Sequence, residues 1–452
     1  MTLAQLAELA GGDLHDADPA RIVTGPVLID SRHVVPGSVF VAIRGDHVDG
    51  HDFAADAVAG GAVAVLADRP LPGLPTVVVA HPVTALGALA RATLARVAPV
   101  TVVAITGSSG KTSTKDLVAG LLEPLGPTVA PPGSYNTEIG LPLTVLAADT
   151  GTAFVVLEMG ARGVGHIKEL TDIAPPQIGV VLNVGSAHLG EFGTREAIAA
   201  AKAELVDALP AGALAVLNAD DALVAAMANR TAARVVTVGT APGAQVRASG
   251  VHLAGGRAEF DLTAAQGSAH VQLQLVGRHH VGNALAAAAV ALEAGASLER
   301  VAAELAAARP RSHWRMEVTE RPDGVTVVND AYNANPESMR AALRALVDLA
   351  AGRRTWAVLG EMRELGPTAD SEHAAVGQAA ADLGIDRLVL VGDHAQAMAA
   401  PGVAHVTVAD VAGAVAVLTS ELAAGDVVLV KASRAAGLER VAAQLLSPGS
   451  TR

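Results

Sequence analysis

The stretch "VVAITGSSGKTSTKDL", residues 102–117, restricts the possible folds more than any other part of the chain. An apolar, β-branched run leads into Gly107, Ser108, Ser109 and Gly110. Lys111 and Thr112 then open a segment with Leu117, Leu121 and Leu125 at helical spacing. Strand, small-residue loop and helix in that order form the framework of a phosphate-binding loop: small residues let backbone N–H groups converge on an anion, and the start of the helix adds its dipole. Lys111 is placed to reach terminal phosphates, and the Thr112 hydroxyl, followed by Ser113, to hold Mg²⁺. Only two residues separate the glycines where the standard pattern has four, so the motif is a shortened one. A Gly/Ser loop with an incidental surface lysine is the plain alternative, which the flanking strand and helix disfavour.

Such a loop belongs to a parallel sheet covered on both faces, and the surrounding sequence has that texture. "TVVAIT", "AFVVLEM" and "QIGVVLNV" are continuous apolar runs rather than alternating ones. The same style returns in "TWAVLG", "RLVLVGD" and "DVVLVKAS", while the first hundred residues mix short strand-like runs with a helix. With 452 residues the chain exceeds one core. Breaks near Pro99 and Pro310 suggest three α/β domains: a mixed one over 1–98, a central doubly wound P-loop ATPase-like one over 99–310, and a Rossmann-like one over 311–452.

Composition excludes several functional classes. The chain has no cysteine, which rules out disulfides, thiolate nucleophiles and Cys-bound zinc. A net charge of −13 with only 2% aromatic residues argues against nucleic acid. Hydrophobic content of 51% is mostly Ala and Val, and no apolar run reaches the roughly 18 residues a membrane span needs. The opening "MTLAQLAELAGGDLHD" lacks the basic start of a signal peptide, so a cytoplasmic protein acting on small molecules is expected.

In open α/β sheets, functional side chains gather at the carboxyl ends of strands. Glu158 follows one apolar run, and Asn183 and His188 lie in the Gly-punctuated turn after another. Glu158 suits a hard cation. His188 and Lys202, each taken alone, read as a loop histidine and a solvated helix lysine.

Together, "TGSSGKTSTK", "LEMG", "NVGSAHLGEFG" and "AKAEL" resemble, in order and spacing, the central domain of the Mur ligases of peptidoglycan synthesis. That family's ATP loop is this short form. The resemblance extends along the chain. "DSRHVVPGSVFVAIRGDHVDGHDF" is similar to a uridine-nucleotide segment, "NTEIGLPL" to a muramyl-substrate loop, and "GRHHVGNALAAAA" to an adenine-contacting segment. "NDAYNANPESM" and "VLGEMRELG" resemble the branch that adds D-alanyl-D-alanine, whereas the "YAHTP" and "NPR" stretches of the diamino-acid-adding branch are missing.

The resemblance implies ATP-dependent ligation of D-alanyl-D-alanine to UDP-N-acetylmuramoyl-tripeptide through an acyl phosphate. It implies Lys111, Glu158, His188 and Lys202 in catalysis, with two Mg²⁺ ions served by Thr112, Glu158, His188 and a carbamylated Lys202. ATP would also meet Asn283, Arg315 and Asp330. Asp30, Ser31, Arg32, Asn136 and Thr137 would face the UDP-sugar. Tyr332, Asn333, Asn335, Lys431, Ser433 and Arg434 would serve the dipeptide. A monomer is expected. A folate polyglutamate ligase, a diamino-acid-adding ligase and a non-catalytic nucleotide-binding relative are the alternatives.

Overall fold

The computed structural model describes residues 1–45, 47–185 and 189–447. The chain folds as two compact units. One comprises Met1–Ala104, Gly126–Gly160 and Ile167–Gln177, the other Ile105–Leu125, Ala161–His166 and Ile178–Arg452.

The first unit holds strands β1 (Asp13–His15), β2 (Val27–Leu28), β3 (Val39–Val41), β4 (Ala64–Ala67) and β5 (Thr76–Val78) in one sheet of order 1-5-4-3-2. Only the β1–β5 pairing is antiparallel. β3 and β4 are buried along their whole length, as strands covered on both faces must be. Leu86 and Leu89 of the Pro82–Val97 helix pack on one side with Leu3 and Leu6, while Phe40, Ala54 and Ala57 fill the other. β6 (Thr101–Thr106) begins in this unit and ends in the other. β7 (Thr128–Val129) and β8 (Phe154–Glu158) pair in parallel and bring Glu158 to a strand end.

The second unit contains β9 (Ile178–Val181), β10 (Leu214–Asn218) and β11 (Arg234–Gly239) in parallel. β11 joins an antiparallel meander of β12 (Val246–Ala254), β13 (Arg257–Ala264) and β14 (Gly267–Val276). The meander is an addition to the doubly wound pattern expected here. Its alternating burial and its turns at Gly255–Gly256 and Ala265–Gln266 mark a sheet with one face in water.

The same unit carries a second sheet of β15 (Glu317–Glu320), β16 (Thr326–Asn329), β17 (Thr355–Gly360), β18 (Arg387–Val391), β19 (Ala404–Val408) and β20 (Val427–Lys431), in the order 15-16-20-17-18-19. All pairs but β15–β16 are parallel, as a Rossmann-like domain requires. The Pro336–Ala350 helix covers it with Met339, Leu343 and Leu346. Asn335 and Ser338 cap its start reciprocally, and Pro336 at its first position is pre-set for helix. No described helix is long and apolar enough to cross a membrane.

Core packing on this sheet leaves no room at Gly377. A Cβ added there would sit inside contact distance of the Met398 carbonyl oxygen, a backbone atom that cannot swing away. Gly377→Ala is expected to destabilise the fold by about 2 kcal/mol or more, whereas Gly212→Ala, which meets nothing within 4 Å, serves as the neutral control. Urea melts of the two variants check this.

Candidate functional site

The phosphate-loop sequence forms the junction between β6 and the Lys111–Leu122 helix. Gly110 stands at the helix start with φ +82°, a left-handed conformation natural to glycine, and no side chain caps the helix there. A Cβ at 110 would also lie 2.6 Å from the Asn283 Oδ1, so a larger residue would have to displace that side chain. The segment that follows β9 braces the loop. Ser108 N–H donates to the Asn183 carbonyl (3.1 Å), and the Asn183 side chain spans Ser109, accepting from its N–H (2.9 Å) and donating to its carbonyl (3.1 Å). Asn183 is therefore a structural partner of the loop. Its place at the end of an apolar run was the only sequence signal for that role.

Lys111 Nζ donates to the Gly107 carbonyl at 2.7 Å, folding back across the loop it is expected to serve. Thr112 is buried, and its Oγ1 accepts from Arg315 Nη2 at 3.0 Å. The structure thus brings Arg315 to the residue expected to hold the metal. Arg315 also lies over the Tyr332 ring at 4.0 Å and is flanked by Trp314 and Met316, both with positive φ (58° and 52°). Non-glycine residues in that region are strained, and here the strain brackets the arginine that faces the loop.

Asn283 is buried beside Gly110 and 3.4 Å from His280 Nδ1, placing it at the phosphate loop. Asn335 donates to the Ser108 carbonyl at 3.4 Å, so the start of the Pro336–Ala350 helix also abuts the loop.

Asp330 and Lys431, expected on opposite substrates, form one buried ion pair (2.6 Å). Lys431 also donates to the Asn333 carbonyl, and Asp330 accepts from Met316 N–H. Ser433 is buried, and its Oγ accepts from Arg363 N–H. Arg434 is exposed and stacks over Trp314 at 4.2 Å.

Lys202 lies on the Arg195–Asp207 helix, only 5% exposed and without an ion-pair partner among the described residues. Burial, with the charge of Lys111 adding to it, lowers its pKa to about 7. A buried lysine that loses its proton near pH 7 is no longer the solvated side chain its sequence context suggested.

In the other unit, Glu158 is fully buried. Its Oε2 accepts from Ser134 Oγ (3.0 Å), which in turn accepts from Asn136 Nδ2 (2.9 Å). Glu158 Oε1 has no hydrogen-bond partner among the described residues. A buried carboxylate oxygen left open in this way suits a hard cation. Thr137 receives the N–H groups of Ile139 and Gly140. Asp30 caps the short Ser31–His33 turn and grips Arg32 through both oxygens, and hydrogen bonding from Arg32 holds its pKa at about 2.

No group of three His, Asp or Glu gathers at metal-binding distance among the described residues. His188 lies outside them.

Comparison with known proteins matches three segments of the chain to one family. Residues 26–93 match the model "Mur ligase family, catalytic domain", residues 105–291 "Mur ligase middle domain", and residues 314–434 "Mur ligase, glutamate ligase domain". The UDP-N-acetylmuramoyl-tripeptide–D-alanyl-D-alanine ligase of Mycobacterium tuberculosis is 50% identical, covering 99% of this chain and 98% of that one. The ligase of the same name from Escherichia coli is 36% identical over 100% and 99%. A crystal structure of MurF from Acinetobacter baumannii superposes with a TM-score of 0.89 at 32% identity, covering 98% of both chains. MurF from Thermotoga maritima in complex with ADP gives 0.82 at 33%, covering 93% of this chain and 97% of that one. Matched from end to end by such relatives, the chain belongs to the Mur ligase family, on the branch of the D-alanyl-D-alanine-adding ligases.

Proposed function

We propose that the chain couples ATP hydrolysis to amide bond formation between the terminal carboxylate of UDP-N-acetylmuramoyl-tripeptide and the amine of D-alanyl-D-alanine. The observation that carries this reading is the match to dipeptide-adding ligases along 99% of the chain, which includes the phosphate loop. The γ-phosphoryl group passes to the carboxylate, giving an acyl phosphate. The amine then attacks the acyl carbon and phosphate leaves. Phosphoryl transfer depends on positioning and charge neutralisation more than on a nucleophile from the protein.

Lys111 would turn from the Gly107 carbonyl to the terminal phosphates, and the uncapped helix start behind Gly110 would meet the same anion. Arg315 would add a second positive charge from beside Thr112, while Asn283 sits against the loop. The Asp330–Lys431 pair would hold the 314–316 segment through Met316, and Tyr332 would support Arg315 from beneath. Asn333, Asn335, Ser433 and Arg434 would form the dipeptide side.

Thr112 would hold one Mg²⁺, which when bound neutralises the triphosphate, and Glu158, His188 and Lys202 would hold or support a second for the acceptor carboxylate. The open Glu158 oxygen and the lowered pKa of Lys202 fit that role, since the uncharged amine, accessible near pH 7, is the form that combines with CO₂ to give an anionic carbamate. Asp30, Ser31, Arg32, Asn136 and Thr137 would receive the UDP-sugar. The functional division remains 1–98 for the UDP-sugar, 99–310 for ATP and 311–452 for the dipeptide, in a cytoplasmic monomer.

Four outcomes test this. A coupled assay of ADP release should respond to D-alanyl-D-alanine and stay silent with L-alanyl-L-alanine or diaminopimelate. A response to diaminopimelate alone would move the chain to another branch. Lys111→Ala should lose roughly a thousandfold in rate while remaining folded, and activity within about tenfold of the parent would remove the loop from phosphoryl transfer.

Lys202→Ala should be nearly inactive and partly restored by formate or acetate. Wild-type-like activity of that variant would exclude the carbamate. The pH dependence of stability reads the same amine. With a folded pKa of about 7 against an ordinary 10.5, burying the charged form weakens the fold at neutral pH, and the penalty fades as pH rises between those values. In CO₂-free buffer, Lys202→Met should therefore be more stable than the parent at pH 7, by about 1 kcal/mol or more, with the gain vanishing above about pH 10.5.

A further inference from the structure

The helix that begins at the phosphate loop does more than present its first turn. Thr112, Asp116 and Gly120 recur every fourth residue and Glu123 follows three later, so all four share one face. The segment Arg311–Arg315 lies along that face in the opposite direction. Arg311 makes a two-pronged ion pair with Glu123 (2.5 and 2.8 Å). Its guanidinium passes over Gly120, where a Cβ would come within 3.2 Å of Nη2. Ser312 N–H donates to Asp116 Oδ2 (2.9 Å). Lys115, 1% exposed, bridges Asp116 (2.6 Å) and approaches Ser312 Oγ at 3.5 Å. Arg315 completes the row on Thr112.

On the far side, His313 and Trp314 are held by Glu317, and Met316 by Asp330. Between these anchors, the backbone takes the two left-handed residues that turn Arg315 toward the loop. Strain of that kind persists only where the surroundings over-determine it.

We infer that Lys115, Asp116, Gly120 and Glu123 form a track that docks residues 311–315 and thereby holds Arg315 at the nucleotide site. They are positioning residues, which act through Arg315 rather than on substrate. The inference rests on the reading above that Arg315 serves the nucleotide.

The test is a double-mutant cycle read by ATP affinity in the full chain, measured calorimetrically with Mg²⁺ and without the other substrates. Asp116→Asn should weaken ATP binding about tenfold in the parent and less than about twofold in an Arg315→Ala background. An equal loss in both backgrounds, or no loss in the parent, overturns the track. Should Asp116→Asn fail to fold, the half-exposed Arg311–Glu123 pair carries the test, since exposed pairs add little stability. Arg311→Glu should weaken ATP binding with the melting temperature unchanged, and adding Glu123→Arg should restore it. Absence of restoration overturns the inference. ATP bound with this coupling, but no ADP release with D-alanyl-D-alanine, would refute the proposed reaction and leave the track intact.

Discussion

Everything at the candidate site hangs on one backbone constraint: the left-handed turn at Gly110 that converts β6 into a helix with a bare start. A polar helix end left without a side-chain cap is costly unless another group answers it, and an anion is the natural answer. The parts around this turn leave it no alternative. Asn283 occupies the space a Cβ would need, and Asn183 holds Ser109 from both sides. Lys111, Thr112 and Arg315 take their positions from the helix that starts there.

The buried charges separate structural from chemical roles. Lys115, Lys202 and Lys431 are all nearly inaccessible to water. Lys115 and Lys431 each sit against an aspartate at 2.6 Å and serve as struts, although burial outweighs Asp330 and still holds the Lys431 pKa below the ordinary lysine value. Lys202 has no such partner among the described residues; burial, with the repulsion of Lys111 adding to it, is why its amine tends toward neutrality. A side chain kept in so unfavourable a form is better explained by chemistry than by packing. Glu158 reads similarly: one oxygen is satisfied by Ser134 and the other is left open.

Much of this was legible beforehand. Continuous apolar runs announced the parallel strands, and "GSSGK" between a strand and a helix announced the loop, because both patterns follow from local geometry. The antiparallel meander was not anticipated, although its alternation and its Gly-Gly turn were present in the sequence. The burial of Lys202 and the pairing of Asp330 with Lys431 could not be read in advance, since they depend on contacts across 101 residues or on which face of an Ala-rich helix turns inward. The docking of Arg311–Arg315 was hidden for the same reason. Its helical face is plain only once the opposing segment is seen lying on it.

The route through an acyl phosphate can be read from the fate of one oxygen. With heavy oxygen in the tripeptide's terminal carboxylate and D-alanyl-D-alanine as the amine, attack at the acyl carbon breaks the carbon–oxygen bond and carries one label into inorganic phosphate. The other label remains in the new amide. Phosphate bearing one heavy oxygen per peptide bond formed is the expected result. Unlabelled phosphate, or label appearing in AMP, would contradict transfer of the γ-phosphoryl group at this loop.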